Sequence, residues 1–349
     1  MRMLALGLDT GRLVVVDEAT GEVQWSVQAH NSLVLVAVST NGRFVASVGF
    51  DDYDWKIWDA WSGKLHKVVA THDGVDFPQT YSSSMGQGLR AVAFSPCGQR
   101  LATRDSNGAV VVWDVRTGVA EHRMQGEAGD AQAIAFTADG ALVASGSGDG
   151  GVDVFDTMTE TLLQEIVEHD FLTCVSFSPT ATSMLATASA GARGSIRVWD
   201  IDSGDMIREI GGCWFVAMYS PDGRTIASAS VGADNVQLMD AESGEMRFRM
   251  VGHTGAVYTA SWCPYDGSKL ASAGEDGTCK VWDSSTGELV RSIHIGGCLI
   301  GRSIQSVVWG RDWVRDAMAF AMGHHPRLGA GSQVLELETG VIHMILDRV

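Results

Sequence analysis

One short signature recurs along the whole chain. It is an apolar or aromatic residue followed by an acid, with a glycine four residues after the acid. The pairs are Val16-Asp17, Trp58-Asp59, Trp113-Asp114, Phe155-Asp156, Trp199-Asp200, Met239-Asp240, Trp282-Asp283 and Leu335-Glu336. The glycines are Gly21, Gly63, Gly118, Gly204, Gly244, Gly287 and Gly340, and the fourth copy alone departs, with Glu160 in that place. Most successive acids stand about 40 to 44 residues apart, the signature of a repeat architecture rather than of one irregular core.

Each repeat divides into four short runs. In one copy they read VYTASW, KLASAG, CKVWD and LVRSIHI, separated by turn residues such as Pro264-Tyr265-Asp266-Gly267 and Asp276-Gly277. Period-two runs split by turns predict a four-stranded antiparallel meander. One such sheet leaves both faces uncovered. Stacking the sheets radially about an axis buries those faces and leaves only short edges. The 41 glycines against six prolines fit a chain with many tight turns.

These residues resemble WD repeats over essentially the whole chain, since Gly252-His253, Asp276 and Trp282-Asp283 fall at that family's spacing. The resemblance implies an all-β propeller of four-stranded blades, one domain spanning residues 1–349. It further implies that His253, Ser272, Asp276 and Trp282 form a hydrogen-bonded structural tetrad, with His30, Ser47, Asp51 and Trp58 as a second. Other copies depart from it. The third has Thr103, Asn107 and Trp113 without a histidine; the fifth has His169, Thr187 and Trp199 without an aspartate; the sixth keeps Ser228 alone. Those blades are expected to be looser.

The first copy has a second, third and fourth strand but no innermost one. The C-terminal run VIHMILD reads as the fourth strand of the last copy and so is not spare to complete the first. The favoured reading is an eight-position ring with an incomplete first blade. The alternative is a seven-bladed ring with a displaced N-terminal ribbon. The missing strand also leaves open a start upstream, or a strand donated by a partner.

Charge narrows the partners. A net charge of -17 repels free nucleic acid and anionic membranes, and favours basic proteins or peptides. No apolar stretch is long enough for a membrane-spanning helix, and the first residues lack the pattern of an export leader. The six cysteines form no CxxC pair and mostly lie in apolar runs, so they read as small buried residues of a cytoplasmic or nuclear protein.

Several residue sets imitate catalysis. His30, Ser47 and Asp51, like His253, Ser272 and Asp276, carry the types of a hydrolase triad. That chemistry needs an exposed serine beside an oxyanion hole, whereas here the types recur in register with a tryptophan. Asp51-Asp52-Tyr53-Asp54 lacks the spacing of a calcium loop, and His324-His325 lacks further ligands. The expectation is a non-enzymatic scaffold with no cofactor and no metal. The rival readings are a propeller module of a larger receptor or sensor, and a propeller enzyme such as the eight-bladed quinone-dependent dehydrogenases.

Strand direction alternates in a meander, so the second-to-third turns and the blade-to-blade links share one face. The irregular loops, residues 71–88, 124–130 and 323–332, cluster there, and such loops are where binding concentrates. The expected partner site combines Phe50, Asp52 and Tyr53 with Asp73, Asp76, Phe77 and Tyr81, because acid and ring together suit a Lys or Arg side chain. Arg90 and Trp214 begin innermost strands at the mouth of the channel on the same face.

Overall fold

The computed structural model describes residues 2–49, 54–70, 91–104, 108–126, 131–168, 170–190, 194–211, 216–229, 234–294 and 304–310. These residues form 28 strands and no helix. The strands make seven antiparallel sheets of four, and the innermost strands touch one another in order around a closed ring. The fold is a seven-bladed β-propeller.

Blade seven illustrates how the sequence does this. Its strands are Val257–Trp262, Lys269–Gly274, Thr278–Asp283 and Leu289–His294, from the axis outward. In the second strand Leu270, Ala271, Ser272 and Ala273 are all buried, so both faces of the strand are covered. That is the consequence of lying between two neighbouring sheets, and it explains why these runs are apolar rather than alternating. The outermost strand, at the rim, leaves Leu289 and Val290 about half exposed. The packed cores therefore lie between blades. Val48, Trp55 and Ile57 of blade two, for example, meet Leu101, Val111 and Trp113 of blade three. Burial of each such side chain contributes about 1.5–3 kcal/mol.

The acid of each repeat ends its third strand and ties the next turn. The Oδ1 atom of Asp59 accepts the backbone N–H of Ser62 at 2.8 Å, and the Asp59 carbonyl accepts that of Gly63 at 2.9 Å. Gly63 has φ 66°, and a Cβ there would lie 2.7 Å from the Trp25 ring of blade one. Glycine is thus required twice, by backbone conformation and by the close approach of the next blade. Glu160 occupies the same place in blade four with φ 59°, and its carboxylate lies 3.0 Å from Nδ1 of His122 in blade three.

The blade count differs from the favoured expectation. The innermost strand of the first blade is Ile304–Gly310, which pairs antiparallel with Met3–Leu8 from Met3 opposite Gly310 to Leu8 opposite Ile304. The run that would have opened an eighth blade instead completes the first, so the chain itself supplies the missing strand. The N-terminal ribbon is not displaced, and its strands Met3–Leu8, Arg12–Asp17 and Val23–Gln28 are the outer three of a full blade. Leu335-Glu336, Gly340 and the VIHMILD run lie outside the described residues.

Candidate functional site

The tetrad of blade seven forms as expected. The Trp282 indole N–H donates to Ser272 Oγ at 2.8 Å, Ser272 Oγ lies 2.8 Å from His253 Nε2, and His253 Nδ1 lies 2.9 Å from Asp276 Oδ2. The carboxylate can only accept, so Nδ1 carries the proton and Nε2 accepts the serine O–H. Burial lowers the pKa of His253, outweighing the Asp276 charge that would raise it, so the imidazole is neutral. Burial would raise Asp276, but the backbone and hydroxyl bonds from Thr278 and the histidine lower it on balance. In blade two, Trp58 donates to Ser47 Oγ at 2.8 Å and His30 Nε2 lies 2.9 Å from it, while Asp51 lies outside the described residues. Ser47 and Ser272 are fully buried, each with its hydroxyl held between an imidazole and an indole. Neither can attack an external substrate.

Blade five corrects the expected histidine. Thr187 and the Trp199 indole both donate to Glu168 Oε1, the indole at 3.1 Å, so Glu168 fills the position assigned to His169. His169 itself lies outside the described residues. Glu168 Oε2 accepts Arg197 Nη1 at 2.7 Å, and Arg197 also reaches Asp170 at 3.3 Å and Glu209 at 2.9 Å. Burial works against the Arg197 charge, but these carboxylates outweigh it and raise its pKa. The blade is therefore not short of a tetrad; it has an ionic one. Spacing did not decide between Glu168 and His169, since the histidine-to-serine separation is 17 residues in blade two and 19 in blade seven. Blade three keeps the bond from Trp113 to Thr103 at 2.9 Å, with Asn107 outside the described residues. In blade six Ser228 Oγ donates to the Gln237 carbonyl at 3.4 Å.

Of the four described cysteines, Cys263 and Cys279 are buried and Cys174 partly so, and burial pushes the Cys279 thiol up to about 12. Cys97, in a turn, is exposed, contrary to the expectation of burial. Cys213 and Cys298 lie outside the described residues. Among the described residues, no cluster of His, Cys, Asp and Glu could hold a metal, and no helix is long and apolar enough to cross a membrane.

The expected partner residues Phe50, Asp52, Tyr53, Asp73, Asp76, Phe77, Tyr81, Arg90 and Trp214 all lie outside the described residues. The face of the second-to-third turns carries other groups that the sequence reading passed over. Asp149, Asp234 and Glu275 are exposed in or beside its second-to-third turns. Tyr258 is half-buried at the start of an innermost strand, and burial and then the Glu275 charge raise its pKa, while Phe171 is 45% exposed at the corresponding end of blade five. These acids share the turn class of Asp52, which was the available signal. Cations on strands leading to this face are engaged within the fold: Arg12 with Ser26, Lys56 with the Ala29 carbonyl, Lys280 with Ser292, Arg197 with its three carboxylates.

Seven radial sheets, two of them holding an indole–hydroxyl–imidazole network, define a repeat propeller. The sequence matches the family described as WD domain, G-beta repeat, at residues 77–114, 119–156, 160–200 and 244–283. The fold is a seven-bladed propeller, and these matches support its likeness to WD-repeat propellers. The chain is 27% identical to the periodic tryptophan protein 2 homolog of Dictyostelium discoideum over 59% of this chain and 23% of that protein. It is 27% identical to the WD repeat-containing protein slp1 of Schizosaccharomyces pombe over 57% of this chain and 40% of that one. With actin-interacting protein 1 of Drosophila melanogaster it shares 28% identity over 64% of this chain and 38% of the relative. The chain thus spans well under half the length of these curated relatives.

Proposed function

We propose that this propeller is a protein-interaction scaffold that holds basic protein or peptide segments on the face of the second-to-third turns. The observation that carries the reading is the charge of that face. Asp149, Asp234 and Glu275 stand exposed there, the cations around them are engaged internally, and the whole chain carries -17. The sequence-based candidates Asp52, Asp73, Asp76, Phe50, Tyr53, Phe77 and Tyr81 are expected on the same face from strand direction, and Arg90 and Trp214 at the channel mouth. A Lys or Arg side chain gains both charge and ring contact in such surroundings, each worth about 0.5–2 kcal/mol. The relative named actin-interacting protein 1 supports protein binding as the general activity. An enzymatic reading lacks comparable support, because the triad-like serines are buried.

The test uses a fluorescent peptide of alternating Arg and Ser, with an alternating Glu and Ser peptide as control. The basic peptide should bind, more weakly at high salt, and substituting Asp52, Asp73 and Asp76 by Asn should weaken it further. Equal affinity for both peptides, or an unchanged affinity in the Asn variant, would count against the reading. A second reading, a module of a larger receptor or sensor, draws support from the greater length of the relatives. No free nucleic acid, membrane, cofactor or metal enters the proposal.

A further inference from the structure

The seven seams between blades can be compared at one position. The residue just after each repeat's acid donates its backbone N–H to the carbonyl of the residue preceding that blade's second strand. This shared bond makes Glu18 equivalent to Ala60, Val115, Thr157, Ile201, Ala241 and Ser284. At five seams the side chain there meets the first residue of the previous blade's second strand, whereas Thr157 and Ser284 donate to carbonyls of their own blades. In four seams both partners are apolar and share a packed cluster: Ala60 with Met3, Val115 with Phe44, Ile201 with Leu142, and Ala241 with Met184. The seam between blades seven and one differs. Glu18 is 4% exposed, and its Oε1 lies 2.6 Å from Lys269 Nζ, at the start of blade seven's second strand. A second charged contact crosses the same seam, where the Arg2 guanidinium lies 5.6 Å from the Tyr265 ring centre and 3.7 Å from Asp266.

That seam has a task the others lack. The chain passes directly from each blade to the next, and from blade seven into the innermost strand 304–310 of blade one, so connectivity chooses those neighbours. The three outer strands of blade one, from the other end of the chain, are the part it does not place. Glu18 and Lys269 are 251 residues apart, and the ribbon of residues 2–28 must find blade seven among sheets that repeat one pattern. Apolar contacts alone discriminate poorly between such sheets. A partly buried ion pair discriminates better, because any other docking leaves the buried Glu18 carboxylate without its partner, while Lys269 is 26% exposed. We propose that Glu18 and Lys269, with Arg2 beside them, form an electrostatic key that selects blade seven for the N-terminal ribbon and holds the ring shut. Loss of the key opens the ring at this seam before any other.

Hydrogen exchange followed by mass spectrometry on the full chain tests this. In Glu18→Lys, amides of Met3–Leu8 and of residues 304–310 should exchange about tenfold faster or more, while the second strand of blade five, Met184–Ala190, keeps its wild-type rate. The charge-swapped pair Glu18→Lys with Lys269→Glu should restore protection. If the reversed variant fails to fold, Glu18→Gln keeps the shape without the charge and should give the same local acceleration in smaller degree. Uniform acceleration at every blade, unchanged exchange in both single variants, or a swapped pair that remains as open as Glu18→Lys would each overturn the key.

Discussion

The Glu168 carboxylate accepts the Trp199 indole N–H at 3.1 Å, in the place where blades two and seven hold an imidazole. The exchange changes the physics of the network. A neutral histidine needs only hydrogen bonds, whereas a buried carboxylate needs a cation, and Arg197 supplies it at 2.7 Å. Removing one member of such a pair strands the other.

Glu168→Ala should therefore cost about 3 kcal/mol or more, because Arg197, Thr187 and Trp199 all lose an acceptor in a buried site. Urea unfolding reads this as a lower midpoint. An unchanged midpoint would mean that Asp170 and Glu209 suffice to hold Arg197 and that Thr187 Oγ1, 3.1 Å from the indole nitrogen, suffices as acceptor for Trp199.

How far the sequence could be read follows from the same residues. The repeat acids and turn glycines were legible because the turn geometry demands them in nearly every copy, and Trp58, Trp113 and Trp282 because each stands directly before such an acid. Glu168 was not legible, because His169 beside it offered the expected side chain at a separation from Thr187 that lies between those of blades two and seven. Closure of the first blade was hidden as well. Ile304–Gly310 and Met3–Leu8 lie at opposite ends of the chain, and a periodic pattern says which runs are strands but not which distant strand each one meets. The fold class was thus readable and the ring closure was not. The proposed partner face rests on strand parity alone, while the exposed Asp234 looked like an ordinary turn residue until burial separated it from the tied Asp276.

Gly63 and Glu160 occupy one turn position with opposite expectations. Gly63→Ala should cost about 2 kcal/mol or more, from a left-handed backbone and a clash with the Trp25 ring. Glu160→Gly should raise stability by up to about 1 kcal/mol, since it relieves φ 59° and loses only an exposed contact with His122. Thermal unfolding of the two variants should shift in opposite directions. A fall in both would mean that the Glu160–His122 contact outweighs the backbone strain.

Acid should weaken the fold in two stages through the blade-seven tetrad. Burial holds His253 below its ordinary 6.5, so above that pH both folded and unfolded chains carry it neutral and its contribution is complete. As pH falls through 6.5 the unfolded chain takes up the proton first, and stability declines until the folded pKa is passed. Asp276, also lowered, adds a second loss that begins below 3.8. Urea midpoints should be level from pH 8 to 7 and fall on the way to pH 5, with a shallower fall in His253→Gln. An equally steep fall in that variant would place the acid sensitivity elsewhere.

Trp282 joins the packing of blade seven to its polar network, and two substitutions separate those roles. The ring is 1% exposed, packs with Leu270, Met250 and Leu238, and reaches Ser272 through its N–H at 2.8 Å. Trp282→Ala removes ring and donor together and should cost about 3–5 kcal/mol, the range for truncating a buried aromatic. Trp282→Phe keeps most of the ring and removes the donor, and Phe155 stands at the same position in blade four. Its cost should be about 1–2 kcal/mol, one hydrogen bond plus a small void. The pH series distinguishes the roles further. In Trp282→Phe, Ser272 keeps His253 as its partner, so the loss between pH 7 and pH 5 should persist. If Trp282→Phe proved as costly as Trp282→Ala, the hydrogen bond rather than the burial would dominate this position. If both variants matched wild type in urea, blade seven would not depend on its indole.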